Sequence, residues 1–232
     1  LANNIPTFNS GFDAYTYTDV VEGNTTTRTL KINGCPTKML FGQGWNAGND
    51  NATNKSLSLL EVLDMNVSTL TTCDSMFRRC ENVTRVDTTN FSVNNVTNMN
   101  GMFAYCSKLA QLDVSKWVTS SVTDMSSMFA GCSSLTQLDV SNWNTSKVTT
   151  MANMFNACSQ LTTIGDVSNW DTSKVTRMDG MFLNCFQFIQ LDVGNWDTSS
   201  TTNMNGMFQG CQKLETLDVG DWDTKNVTDM SY

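Results

Sequence analysis

Carboxylates recur along this chain at a near-constant interval, as Glu61, Asp87, Asp113, Asp139, Asp166, Asp192 and Asp218. A second series, Asp171, Asp197 and Asp223, follows the last three of them. If each series occupies one structural position, like charges stand side by side and something must offset their repulsion. Three kinds of chemistry fit. Each carboxylate can accept hydrogen bonds from the turn that follows it, as in an Asx-turn. The two series together can supply the oxygens of a row of Ca2+ sites. Or the carboxylates can contact a binding partner directly.

The thiols are the second candidate chemistry. The chain has eight cysteines and no histidine. Six of them, Cys80, Cys106, Cys132, Cys158, Cys185 and Cys211, recur in series. One cysteine per interval makes no CxxC pair, which argues against zinc. On an apolar face a free thiol packs as a small hydrophobe, so buried free thiols are expected. The two off-series cysteines, Cys35 and Cys73, are the candidates for one disulfide tying the N-terminal region to the repeats. Without histidine the chain lacks the commonest general base and metal ligand. The acidic series are too uniform to single out an acid–base pair, so no catalytic residue and no resident metal is assigned and a non-enzymatic protein is expected. Nine N-x-S/T sequons, at Asn24, Asn51, Asn54, Asn66, Asn82, Asn90, Asn95, Asn144 and Asn226, are candidate glycosylation sites if the protein is secreted by a source with that machinery.

The elements that position these residues are copies of one unit. A Met-Phe pair recurs at Met76, Met102, Met128, Met154, Met181 and Met207, each followed by phenylalanine and then a cysteine at fixed offset. The step is 26 residues, with one step of 27 where Gly165 is inserted, and a glycine there predicts a bulge that leaves the stack unbroken. Within a copy, Leu138 and Val140 share one face of a short strand with Asp139 opposite. Residues 142–146 read as a corner, and Val148 and Thr149 as a second extended piece. Met151, Met154, Phe155 and Cys158 fall at i, i+3, i+4 and i+7, which predicts one short helix per copy. Trp117, Trp143, Trp170, Trp196 and Trp222 form an aromatic series, with Met65 and Phe91 in its first places. Met and Phe fill similar apolar volume, so core packing is favoured over an exposed track for sugar rings. Threonine after valine at 123, 149, 176 and 228 predicts a hydrogen-bonded ladder.

Residues 1–56 lie outside the repeat. Residues 12–21 read as a strand, 22–24 as a turn and 25–32 as a second strand. A hairpin followed by a Gly- and Asn-rich loop predicts an N-terminal β cap over residues 1–56, with the repeats occupying 57–232. The net charge of −8 argues against nucleic acid and anionic membrane as partners, and no run approaches a membrane span in length.

The unit MFxxCxxLxxLDVSxWDTSxVTxM resembles the BspA-like leucine-rich repeat over residues 57–232. The resemblance implies a β-rich solenoid of about seven coils, with strands on one face and short helices on the other. It also implies an extracellular or cell-surface protein, several of whose relatives are associated with adhesion, and it does not imply a catalytic site. The function expected is therefore an adhesion or partner-binding scaffold for a protein or glycan ligand. The alternative is a structural subunit of an extracellular filament or virion appendage. If Tyr232 is the true terminus, Leu217, Val219, Trp222 and Met230 lie at an open end, which predicts head-to-tail association through residues 1–56 of the next molecule.

Overall fold

The computed structural model describes residues 70–232 throughout, and before them the backbone of strand residues 17–22, 25–30, 32–33, 61–62 and 65–66. Strands β1 (Tyr17–Glu22) and β2 (Thr25–Leu30) form an antiparallel hairpin in which Glu22 pairs with Thr25. Strand β3 (Ile32–Asn33) pairs in parallel with β5 (Met65–Asn66). Strand β4 (Glu61–Val62) heads a parallel ladder that continues through β6 (Arg85–Val86) and β7 (Gln111–Leu112). Further along, β8 (Gln190–Leu191) pairs in parallel with β9 (Thr216–Leu217).

Each copy of the unit lies against the next in parallel. A second line of bridges runs Thr72, Asn98, Asp124, Thr150, Arg177, Asn203, Asp229, so every copy from residue 72 onward is joined to its neighbour. Beside it, the backbone N–H of Thr97 donates to Thr71 O, Thr123 to Thr97 O, Thr149 to Thr123 O, Thr176 to Thr149 O, Thr202 to Thr176 O and Thr228 to Thr202 O, at 2.8–3.0 Å. In each case the hydroxyl donates to the same carbonyl, at 3.0–3.3 Å. A β-branched residue with a short donor can make both bonds from one position, which is why threonine recurs there.

The segment expected as a short helix is something else, and among the described residues there is no helix. Across 151–158, Met154 N–H donates to Met151 O, Asn156 to Asn153 O and Cys158 to Phe155 O, each a three-residue step back. The intervening N–H groups point out of the copy: Met151 donates to Arg177 O, Asn153 to Asp179 O, Phe155 to Met181 O and Ala157 to Leu183 O. The backbone is thus three overlapping β-turns, and Asn153 and Ala157 take φ of 57° and 58° to make them. A helix would spend every N–H on its own i−4 carbonyl and leave this seam without bonds between copies. Met151, Met154, Phe155 and Cys158 are fully buried all the same. Apolar spacing registers which side chains face inward, and two backbone geometries satisfy it here.

The interior is filled by columns of like residues. Phe77, Phe103, Phe129, Phe155, Phe182 and Phe208 stack ring on ring at 5.1–5.8 Å, within 11° of parallel. Such pairs add about 0.5–1.5 kcal/mol each beyond area burial. The single 27-residue step is absorbed locally. Gln137 still bridges Thr163 at the old register, Thr150 bridges Arg177 at the new one, and between them Gly165 takes φ of 81°. Asp166 N–H donates to the Ser141 hydroxyl at 2.9 Å.

Candidate binding surface

The recurring LDVSxW segment builds one wall of each copy. In Leu112-Asp113-Val114, leucine and valine point into the core while Gln111 and Asp113 stand outward. Asp113 Oδ1 accepts the N–H of Ser115 at 3.0 Å and its hydroxyl at 2.6 Å. Asp139 and Ser141, and Asp166 and Ser168, repeat this arrangement, Asp87 accepts from Thr89 N–H, and Asp218 accepts from Gly220 N–H. The Ser115 hydroxyl and then its N–H hold Asp113 below the usual carboxylate range, and the Thr89 hydroxyl and N–H do the same for Asp87. A general acid needs the opposite shift.

The second acidic series uses the same device at the next corner. Asp171 Oδ1 accepts the N–H and hydroxyl of Ser173, and Asp197 accepts Ser199 N–H. Asp223 accepts Lys225 N–H and, at 2.7 Å, its ammonium group. Between them Thr119, Thr145, Thr172 and Thr198 are buried, and each hydroxyl donates to a carbonyl of the next copy, at Asn144, Asp171, Asp197 and Asp223. The DTS motif is therefore an outward turn former, an inward cross-copy donor and the turn's own donor. Among the described residues no three acidic, histidine or cysteine side chains come together as a metal site.

One sequence expectation needs correcting. Glu61 does not stand in the acidic series. In the ladder it is opposite Arg85, two residues short of Asp87, because β4 joins β6 at a step of 24 while β6 joins β7 at 26. The alignment of sequence copies carries the 26-residue step backward past the point where the backbone register changes. Cys73 is buried with a free thiol, and its expected partner Cys35 lies outside the described residues. So do Asn24, Asn51 and Asn54, while Asn66 is described only as backbone within β5. Asn90, Asn95, Asn144 and Asn226 are exposed and Asn82 is half-buried, where it accepts the Lys108 ammonium group at 2.9 Å. Asn144 Oδ1 takes the N–H and hydroxyl of Ser146, and Asn226 Nδ2 donates to Ser199 O.

The aromatic and thiol series face inward. Trp117, Trp143, Trp170 and Trp196 are no more than 5% exposed, and Trp222 is half-buried. The indole N–H of Trp143 donates to Val114 O, Trp170 to Val140 O, Trp196 to Val167 O and Trp222 to Val193 O, at 2.9–3.3 Å. Trp117 breaks the pattern: its Nε1 is buried with no acceptor. The thiols of Cys106, Cys132, Cys158, Cys185 and Cys211 donate to the carbonyls of Phe77, Phe103, Phe129, Phe155 and Phe182 at 3.1–3.2 Å. Burial pushes Cys80 and Cys158 up to about 12, so these thiols stay protonated and unreactive at neutral pH.

The outward wall also carries a groove of about 720 Å3, running across four copies from Arg85 to Gly165. Its floor is Val86, Leu112 and Leu138, and its sides bear Arg85, Asp87, Gln111, Asp113, Lys116, Gln137 and Asp139. Thr88, Thr89 and Trp117 also line it. This volume lies within the range of small-ligand sites. The sequence reading found the carboxylates and missed the glutamines. The signal was present, because Gln111 and Gln137 stand two residues before Asp113 and Asp139 and share their face of the strand. Arg85 and Lys116 have no counterpart at their places in the following copies, so no periodicity points to them.

A family model described as "Mycoplasma protein of unknown function, DUF285" matches residues 71–164 and again 158–232. No curated protein matches the chain.

Proposed function

We propose that this chain, which belongs to the DUF285 family, is a solenoid scaffold that binds an extended partner along its outward strand wall. The observation that carries the reading is the groove over Arg85, Gln111 and Gln137, where three successive copies place a polar side chain above one apolar floor, a glutamine in two of them. A stack of parallel copies makes such a surface because each repeat position becomes a column, with neighbours about 4.8 Å apart. Binding is multipoint: each copy adds a similar small contact, and affinity grows with the number of copies engaged. The depressed Asp87 and Asp113 carboxylates keep their charge at neutral pH and serve as fixed acceptors. The resemblance of the repeat to BspA-like surface proteins supports an extracellular setting and a role in adhesion. Among the described residues no helix is long and apolar enough to cross a membrane.

The test is adhesion of beads coated with the 1–232 chain to cell layers and matrix-coated plates. Gln111→Arg with Gln137→Arg places two bulky cations in the groove at exposed positions, where the core is untouched. Adhesion above uncoated beads that is lost in this variant supports the reading. Adhesion that is absent, or unchanged by the variant, sinks it.

A further inference from the structure

We infer that the groove's ligand is a neutral, hydroxyl-rich sugar chain. The inference rests on the strand-wall binding reading and names the ligand's chemistry. The first argument concerns what the wall withholds. Strand β6 is paired on both sides, by β4 and by β7, so its backbone donors and acceptors are already directed to neighbouring copies. An extended peptide gains much of its affinity at such a wall by adding a strand, and β6 offers no open edge for one. Over β6 the ligand must be recognised by side chains alone.

The second argument concerns charge. The groove mixes Arg85 and Lys116 with Asp87, Asp113 and Asp139. Three carboxylates in a protein of net charge −8 repel a nucleic acid or another polyanion. Two cations in the same groove repel a basic segment. An uncharged ligand that both donates and accepts hydrogen bonds meets no such penalty. Gln111 and Gln137 each offer two donors and an acceptor, and Asp113 and Asp139 keep acceptor capacity beyond the oxygen that Ser115 and Ser141 occupy. A carboxylate beside an amide matches a pair of neighbouring sugar hydroxyls. The apolar floor of Leu112 and Leu138 suits the C–H face of a sugar ring. The glutamine–aspartate pair stands in two successive copies of the groove, Gln111 with Asp113 and Gln137 with Asp139, so two successive sugar units of an extended chain meet the same pair.

A third observation is independent of the wall's composition. Every other described indole in its series donates to a carbonyl, whereas Trp117 Nε1 is buried without an acceptor, and Trp117 lines the groove. Buried polar groups are ordinarily satisfied. The unmet donor belongs to a residue of the groove's lining, so an oxygen from outside the chain, a ligand hydroxyl or a water it orders, completes the set once the buried Nε1 is uncovered.

The experiment titrates the 1–232 chain with cellohexaose, chitohexaose and maltohexaose, read by calorimetry and by tryptophan emission. At least one hexasaccharide is expected to bind, with a shift in emission that Trp117→Phe removes. Gln111→Ala with Gln137→Ala should weaken that binding at least tenfold while leaving the circular dichroism spectrum unchanged. Failure of all three sugars at millimolar concentration overturns the inference, as does binding that the double variant leaves intact. Coated-bead adhesion separates this failure from failure of the underlying reading. Adhesion that depends on the groove and is abolished by periodate treatment of the target surface supports sugar recognition. Groove-dependent adhesion that survives periodate but is removed by trypsin leaves the binding wall standing and overturns the sugar.

Discussion

Substituting Gly165 should cost far more than substituting another glycine with the same sign of φ. Gly165 sits at φ of 81°, and an added Cβ would run into Ser141 Oγ and stand 2.7 Å from Asp139 Oδ1. A left-handed conformation costs a side-chain-bearing residue roughly 1–2 kcal/mol. Moving Ser141 also deprives Asp166 N–H of its acceptor and loosens the Asp139 turn, at about 0.5–1.5 kcal/mol per hydrogen bond. Gly165→Ala is therefore expected to destabilise the chain by about 2–4 kcal/mol. The control is Gly206, at φ of 59°, where the nearest atom to an added Cβ is the flexible tip of Gln209 at 3.4 Å. In its column Ser75, Ser127 and Asn153 already hold φ of 54–57°. Gly206→Asn should then change stability by about 1 kcal/mol or less, because asparagine tolerates this region. Urea denaturation followed by tryptophan emission measures both, with midpoint and slope compared, since an array can lose two-state behaviour. Equal effects at the two glycines would refute the local account of how the 27-residue step is absorbed.

Further outcomes follow from the columns and the titrating groups. Phe129→Ala removes a fully buried ring stacked on both Phe103 and Phe155 and should cost about 3–5 kcal/mol by urea denaturation. Because Asp87 and Asp113 have depressed pKa values in the folded chain, their contribution is full above the ordinary carboxylate range, near 4, and is lost as pH falls through the folded values. The urea midpoint should hold level from pH 7 to 5 and drop below about pH 4, less steeply in Asp113→Asn, and an unchanged midpoint at pH 3 would contradict the turn bonds. The raised thiols act in the other direction. Their contribution is full below the ordinary thiol value of 9.0 and fades as pH rises above it, so alkylation at pH 8 should leave Cys80, Cys106, Cys132 and Cys158 unmodified until urea is added, as read by peptide mass mapping.

Much of this structure was legible because the repeat turns one local rule into many observations. Threonine after valine announced a ladder, and the bonds run from Thr71 to Thr228. Tryptophan replaced by phenylalanine at Phe91 announced an apolar environment, and the series is buried. Three features were not legible, each for a physical reason. The spacing of Met151, Met154, Phe155 and Cys158 reports which side chains face inward but not where the N–H groups go, and bonds between copies chose turns over a helix. The position of Glu61 depends on a backbone register that changes just before the regular copies, which alignment of sequence copies cannot register. The groove depends on Arg85 and Lys116, which occur once and carry no periodic signal.

Hydrogen–deuterium exchange of the 1–232 chain, with and without saturating hexasaccharide, tests the central claim most directly, because it reports where a ligand sits as well as whether it binds. The binding wall predicts new protection confined to residues 85–89, 110–117, 136–139 and 163–165, the four stretches that line the groove. Protection that appears instead along the threonine ladder from Thr71 to Thr228, or no change anywhere at a concentration where calorimetry shows binding, would contradict it.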